Sequence, residues 1–113
     1  MKYIKLYEQR EPERRVRRRA DGSVEWEGWY LDGKRHREDG PARIHYRQDG
    51  SVHSESWLLD DNLHREDGPA HIQYRPEGSV EAEDWWLDDR LLKDVTSQAE
   101  FEAWQYLKSV GLV

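Results

Sequence analysis

The chain contains no cysteine. Disulfides, thiolate nucleophiles and cysteine metal sites are thereby excluded, and such a composition suits a reducing compartment. There is also no run of 18 or more apolar residues, and the opening MKYIKLYEQREPERR lacks the apolar centre of a signal peptide. Neither membrane insertion nor secretion is expected, which leaves the cytoplasm as the expected location. Apolar side chains are scarce: 35% of the 113 residues are hydrophobic against 37% charged, too few for a thick two-layer core. Six Trp and six Tyr offset part of the shortage, because each buries far more area than an aliphatic residue. One thin, aromatic-rich domain is expected. The net charge of −6 is uneven, since residues 1–21 carry eight basic and four acidic groups and the remainder is strongly acidic.

What the chain does have is self-similarity. GSV recurs at Gly22, Gly50 and Gly78, a spacing of 28, and residues 22–49 match 50–77 at 17 of 28 positions. The expected organisation is a degenerate N-terminal repeat over 1–21, full repeats over 22–49 and 50–77, a partial one over 78–94, and a capping helix within 95–113. Inside each unit the local signals are β. Asp32-Gly33 reads as a two-residue hairpin turn, and Gln48-Asp49-Gly50 as a three-residue loop with a left-handed glycine. A mainly β single domain follows, an antiparallel meander with strands near 23–31, 42–47, 51–59, 70–75 and 79–87 and shorter pieces at 3–7 and 14–19. Ser97-Gln98-Ala99-Glu100 is a capping box opening a helix at about 97–110, with Ala103, Leu107 and Val110 as its apolar stripe between Phe101, Trp104 and Tyr106.

The loop length implies a register. It sets Tyr46 opposite Val52, Ile44 opposite Ser54 and Arg43 opposite Glu55. One unit earlier it sets Val16 opposite Trp26, Arg15 opposite Glu27 and Arg17 opposite Glu25; one unit later, Ile72 faces Ala82 and His71 faces Glu83. The arginines of RRVRRR thus acquire partners across the hairpin, and nucleic-acid binding is not expected of them; Arg14, Arg18 and Arg19 stay without one and are candidates for contact with an acidic partner. The same register places His45 opposite His53, a weak two-ligand metal candidate that falls short of the usual three or four. No metal or cofactor is expected.

HREDGPA occurs twice, at 36–42 and 64–70. The turn sets Trp29 opposite His36, Trp57 opposite His64 and Trp85 opposite Leu92, so the histidine position accepts leucine where the sheet ends. That substitution suits packing against the tryptophan and not proton transfer, while Gly and Pro break the strand into a corner. Catalytic sites are single constellations, whereas scaffold motifs recur once per repeat. No enzyme activity is expected.

WYLDGKRHREDGPA followed by a strand and a DGS turn resembles the MORN-repeat variant, the WYxNGxxHRxDGPA type found in phage and bacterial proteins; the likeness covers residues 22–94. It implies successive hairpins in an extended sheet that serve as an interaction scaffold, and a phage-type inhibitor of a host or defence protein. Trp29, Trp57 and Tyr30 are the candidate interface anchors. Two other classes compete: a small-molecule or nucleotide binder using Arg37 and Arg65 beside aromatic platforms, and an acidic DNA mimic built on Glu77, Glu81, Glu83, Asp84, Asp88, Asp89 and Asp94. The apolar strand expected at 3–7 would be paired, covered, or used as an edge for a two-fold homodimer.

Overall fold

A computed structural model describes residues 10–113. The strand expected at 3–7 and the homodimer edge built on it lie outside the described residues. One antiparallel sheet runs along the repeat: β1 (Glu13–Arg18), β2 (Val24–Leu31), β4 (Arg43–Tyr46), β5 (Val52–Ser56), β8 (His71–Tyr74) and β9 (Val80–Asp84) follow in that order, and β3 (Lys34–Arg35) pairs with the end of β2. Two-stranded tips β6 (Leu58–Leu59) with β7 (Asn62–Leu63), and β10 (Trp86–Leu87) with β11 (Arg90–Leu91), repeat the β2–β3 hairpin end. The expected strands 51–59 and 79–87 are each interrupted at a tryptophan. Trp57 donates its N–H to Ala70 on one side and accepts from the N–H of His64 on the other, so the chain changes pairing partner there.

The turns follow from local chemistry. Asp32-Gly33, Asp60-Asp61 and Asp88-Asp89 all have positive φ at both residues, the geometry that matches strand twist in a two-residue hairpin. In the later two turns Asp replaces Gly, and its carboxylate ties one tip to the one before. Asp61 Oδ1 accepts from the backbone N–H of Arg35 at 2.8 Å, and Asp89 Oδ1 from that of Leu63 at 3.3 Å. Gly50 takes φ +92° to close the expected three-residue loop.

The expected register survives only next to each loop. Arg18 faces Val24, Tyr46 faces Val52 and Tyr74 faces Val80, but the next pairs are Arg17 with Trp26, His45 with Ser54 and Gln73 with Ala82. One residue bulges out of each hairpin, at Glu25, His53 and Glu81, and every later pair shifts by one. Ile44 therefore faces Glu55, Arg43 faces Ser56, Val16 faces Glu27, Arg15 faces Gly28, Ile72 faces Glu83 and His71 faces Asp84. One face of the sheet carries the row Val16, Glu27, Ile44, Glu55, Ile72, Glu83; the other carries Arg15, Gly28, Arg43, Ser56, His71, Asp84.

The helix α1 (Gln98–Ser109) closes the array. Ser97 caps it by accepting from the N–H of Glu100, whose carboxylate in turn accepts from the N–H of Thr96. Its buried side is Phe101, packed with Trp85, Leu92 and Val95 and flanked by Trp104, whereas Ala103 and Val110 are exposed. The expected stripe is thus corrected: Phe101 at the first turn, with Trp104 beside it, meets the last tip, and Ala103 and Val110 do not. Gln98 and Gln105 hold the helix to the preceding corner by donating to the carbonyls of Asp67 at 3.4 Å and Glu66 at 2.8 Å.

Candidate functional site

The duplicated heptapeptide engages itself. The guanidinium of Arg37 lies 3.9 Å over the Trp29 ring, donates to Pro41 O at 3.1 Å and meets Asp39 at 3.2 Å; Arg65 repeats this with Trp57, Pro69 and Asp67. Gly40 and Gly68 are buried against those guanidinium groups, where a Cβ would come within 2.7 Å of Cζ. Ala42 and Ala70 are fully buried. His36 Nδ1 accepts from the N–H of Asp60 at 3.1 Å, and His64 Nδ1 from that of Asp88 at 2.9 Å. The histidine thus joins each tip to the next. Leu92 has no following tip to serve and packs under the helix instead, so the hydrogen bond, more than packing on tryptophan, separates histidine from leucine at this position.

The other candidate residues also have internal partners. Arg14 pairs with Glu27 at 2.6 Å; Glu27 is only 8% exposed and also accepts from Tyr46 Oη at 2.5 Å. Burial and this carboxylate together push the Tyr46 phenol up to about 12. Arg18 donates to Gly22 O, and Arg19 to Val24 O and Tyr46 O, a clamp that Arg47 repeats on Val52 O and Tyr74 O. Arg15 lies 4.8 Å over Tyr30. His53, the bulge residue, is exposed, and His45 pairs with Ser54 instead of with His53; among the described residues no group of three or more potential ligands assembles. The acidic residues of the last repeat divide between faces, with Glu83 opposite Ile72 and Asp84 opposite His71.

Where the tips meet the second face of the sheet lies a cleft of about 590 Å³. Eleven residues line it, and they occupy six repeat positions: Ser56 and Asp84; Leu58 and Trp86; Asp61 and Asp89; Arg35 and Leu63; Arg43 and His71; and His45. The two full repeats differ at eleven of 28 positions, and all six cleft positions are among them. None of the seventeen identical positions lines the cleft. Exposure alone does not account for this, because Asp39 and Asp67 have side chains 88% and 80% exposed and are identical, while Leu58 is 4% exposed and differs. The cleft is lined by divergent positions alone, six of the eleven.

The cleft is polar. Arg43 stacks 4.2 Å over Trp26, and its Nε is buried without a hydrogen-bond partner; the indole Nε1 of Trp86 is likewise buried and unpartnered. His45 is held below its ordinary pKa, first by burial and then by the charge of Arg43. Arg35 and Asp61 neutralise each other at 2.9 Å. Ser56 Oγ lies 2.9 Å from His71 Nδ1, but among the described residues no carboxylate lies within 4.0 Å of the His71 ring to orient it as a base. Sequence reasoning singled out His45, Asp84 and Asp89 for other roles and did not bring the lining residues together as one site. The differences between repeats would have pointed to them, but only the bulges show that they share a face.

The fold and site together define an antiparallel β-repeat protein with a variable cleft. No protein-family model, curated protein or solved structure matches the chain. Among the described residues no helix is long and apolar enough to cross a membrane.

Proposed function

We propose that the chain is a non-enzymatic MORN-like interaction module that binds a protein partner through the cleft face. The observation that carries this is the division of the repeat into an identical scaffold and a divergent cleft lining. A repeat array gains specificity by changing side chains at positions its own packing leaves free. The heptapeptides belong to the scaffold, since their histidines, arginines, glycines and alanines are already engaged. A phage-type inhibitor of a host or defence protein is the role that the MORN-like resemblance adds. Co-purification from host lysate, comparing wild type with His45→Ala/His71→Ala and with the tip variant Lys34→Ala, tests the reading. Loss of one partner in the cleft variant alone is expected; retention of every partner there would reject the cleft as the binding face.

The second reading, a small-ligand binder, is favoured by one feature: about 590 Å³ lies in the range of small-molecule sites. Arg37 and Arg65 are spent on Trp29 and Trp57, so the ligand contacts would come from the cleft. Calorimetric titration with nucleotides separates this from the first reading.

A further inference from the structure

Among the described residues the sheet ends at β9, and the outer edge of β9 repeats an edge that is filled twice inside the chain. β2 pairs with β4 through residues 26–28 and β5 with β8 through 54–56, whereas 82–84, at the matching positions of β9, face no further strand among the described residues. Asp84 O accepts from Ala70 N–H on the β8 side, so the N–H and C=O of Glu83 point away from β8. Exposure follows. Glu27 is buried and Glu55 half-buried, but Glu83 is exposed, and Val80 is 43% exposed where Val24 and Val52 are half-buried.

Each filled edge holds one tyrosine by two of its groups. Tyr46 Oη donates to Glu27 at 2.5 Å while its carbonyl accepts from Arg19 Nη2 at 2.6 Å. Tyr74 Oη donates to Glu55 at 2.6 Å while its carbonyl accepts from Arg47 Nη2 at 2.5 Å. Arg75 is posed in the same way: its Nη1 donates to Ser79 Oγ at 3.3 Å and Val80 O at 2.7 Å, as Arg19 Nη1 does to Ser23 Oγ and Val24 O. Among the described residues, however, Arg75 Nη2 has no acceptor and Glu83 no tyrosine. The third tyrosine would stand at position 102, which is Glu102 within α1. The first two edges show that a carboxylate and a guanidinium so placed reach a single residue.

Charge selects the occupant. Glu81, Glu83 and Asp84 repel a second β9 edge. Asp84 stands where Gly28 and Ser56 face Arg43 and His71, and none of the ion pairs among the described residues includes it. An antiparallel strand that fits therefore brings a basic side chain opposite Asp84 and a β-branched one opposite Glu83, as Ile44 and Ile72 lie opposite Glu27 and Glu55. Its tyrosine follows two residues later.

We propose that the β9 edge binds, by strand addition, an extended segment of a partner protein that reads basic, β-branched, any residue, tyrosine. Glu83 accepts from the tyrosine hydroxyl and Arg75 donates to its carbonyl. Edge binding does not depend on what the cleft holds, although Asp84 borders both.

The test titrates the isotopically labelled full chain with an acetylated and amidated peptide of the sequence of residues 42–47, ARIHYR, and with the same peptide carrying phenylalanine in place of tyrosine. Expected are a shift and slowed solvent exchange of the Glu83 N–H, and an apparent Kd weakened about ten-fold or more for the phenylalanine peptide, which lacks only the hydroxyl. In Glu83→Ala the two peptides are expected to bind equally, because the acceptor is gone. If that variant does not fold, the comparison of the two peptides on the wild-type chain decides alone. A Glu83 N–H that millimolar peptide leaves unmoved, or equal affinity of both peptides for the wild type, overturns the proposal. Sedimentation of the wild type without peptide is expected to show a monomer. Concentration-dependent association that Glu83→Ala abolishes would assign the edge to residues 15–18 of a second copy and overturn the partner segment.

Discussion

Replacing Gly40 by Ala probes the corner motif most directly. The backbone at Gly40 is not in the left-handed region, so alanine there carries no dihedral penalty, and on unfolded-state entropy alone it would stabilise by about 0.4–1 kcal/mol. The added Cβ, however, would lie 2.7 Å from Cζ, 2.9 Å from Nε and 3.0 Å from Nη1 of Arg37. The guanidinium is the far end of a flexible side chain and will move, and in moving it leaves the ring 3.9 Å below it and the carbonyl of Pro41. The stack contributes about 0.5–2 kcal/mol and a hydrogen bond from a charged donor about 1.5 kcal/mol. The contact with Asp39, 88% exposed, adds little. Against the entropic gain, a net loss of about 1–3 kcal/mol is expected, or several degrees in Tm for a domain of this size. The assay is denaturant and thermal unfolding of Gly40→Ala in the wild type and in Arg37→Ala. Once Arg37 is truncated, the same methyl group has nothing to displace and is expected to be neutral or stabilising. A Gly40→Ala protein more stable than wild type, or one equally destabilised in both backgrounds, would refute the packing account of HREDGPA.

Trp29→Ala is expected to cost about 3 kcal/mol, because it removes the platform of Arg37, and His36→Leu about 1 kcal/mol, the acceptor lost to the Asp60 N–H; equal costs in urea unfolding would contradict that order. His45 has a folded pKa below its ordinary 6.5, so its contribution is full above that value and is lost as pH falls below it. Stability is expected to decline below about pH 6.5 less steeply in His45→Gln than in wild type, and identical slopes would exclude His45 as the source. Tyr46, raised from 10.0 to about 12, has the opposite sign: its contribution is full below 10 and falls as pH rises toward 12, and Tyr46→Phe is expected to flatten that alkaline limb of the unfolding curve. Gly33→Asp is expected to cost under about 1 kcal/mol, since Asp61 and Asp89 adopt φ 69° and 64° at the matching positions; a loss above about 2 kcal/mol would show that the tips are not interchangeable.

The sequence by itself determined the elements and their order. Asp-Gly turns, the left-handed glycine of each three-residue loop and the capping box act over four or five residues, so the strands, the loop-proximal pairs and the helix start at Ser97 were legible without any tertiary contact. The 28-residue repetition added that HREDGPA is scaffold. Tertiary structure decided the faces. A bulge is one residue in a strand, set by how two strands twist past each other, and local spacing carries no mark of it. Yet it moves Arg43, Ser56 and His71 into one row, gives Glu27 to Arg14 and turns His53 outward. The roles inside the heptapeptide were equally hidden, because the partner of His36 is the turn of the following repeat and the partner of Arg37 is a ring on the preceding strand. The cleft needs both: the differences between repeats are written in the chain, but they converge on one wall only after the bulges have placed them and the hairpin tips have folded over the sheet.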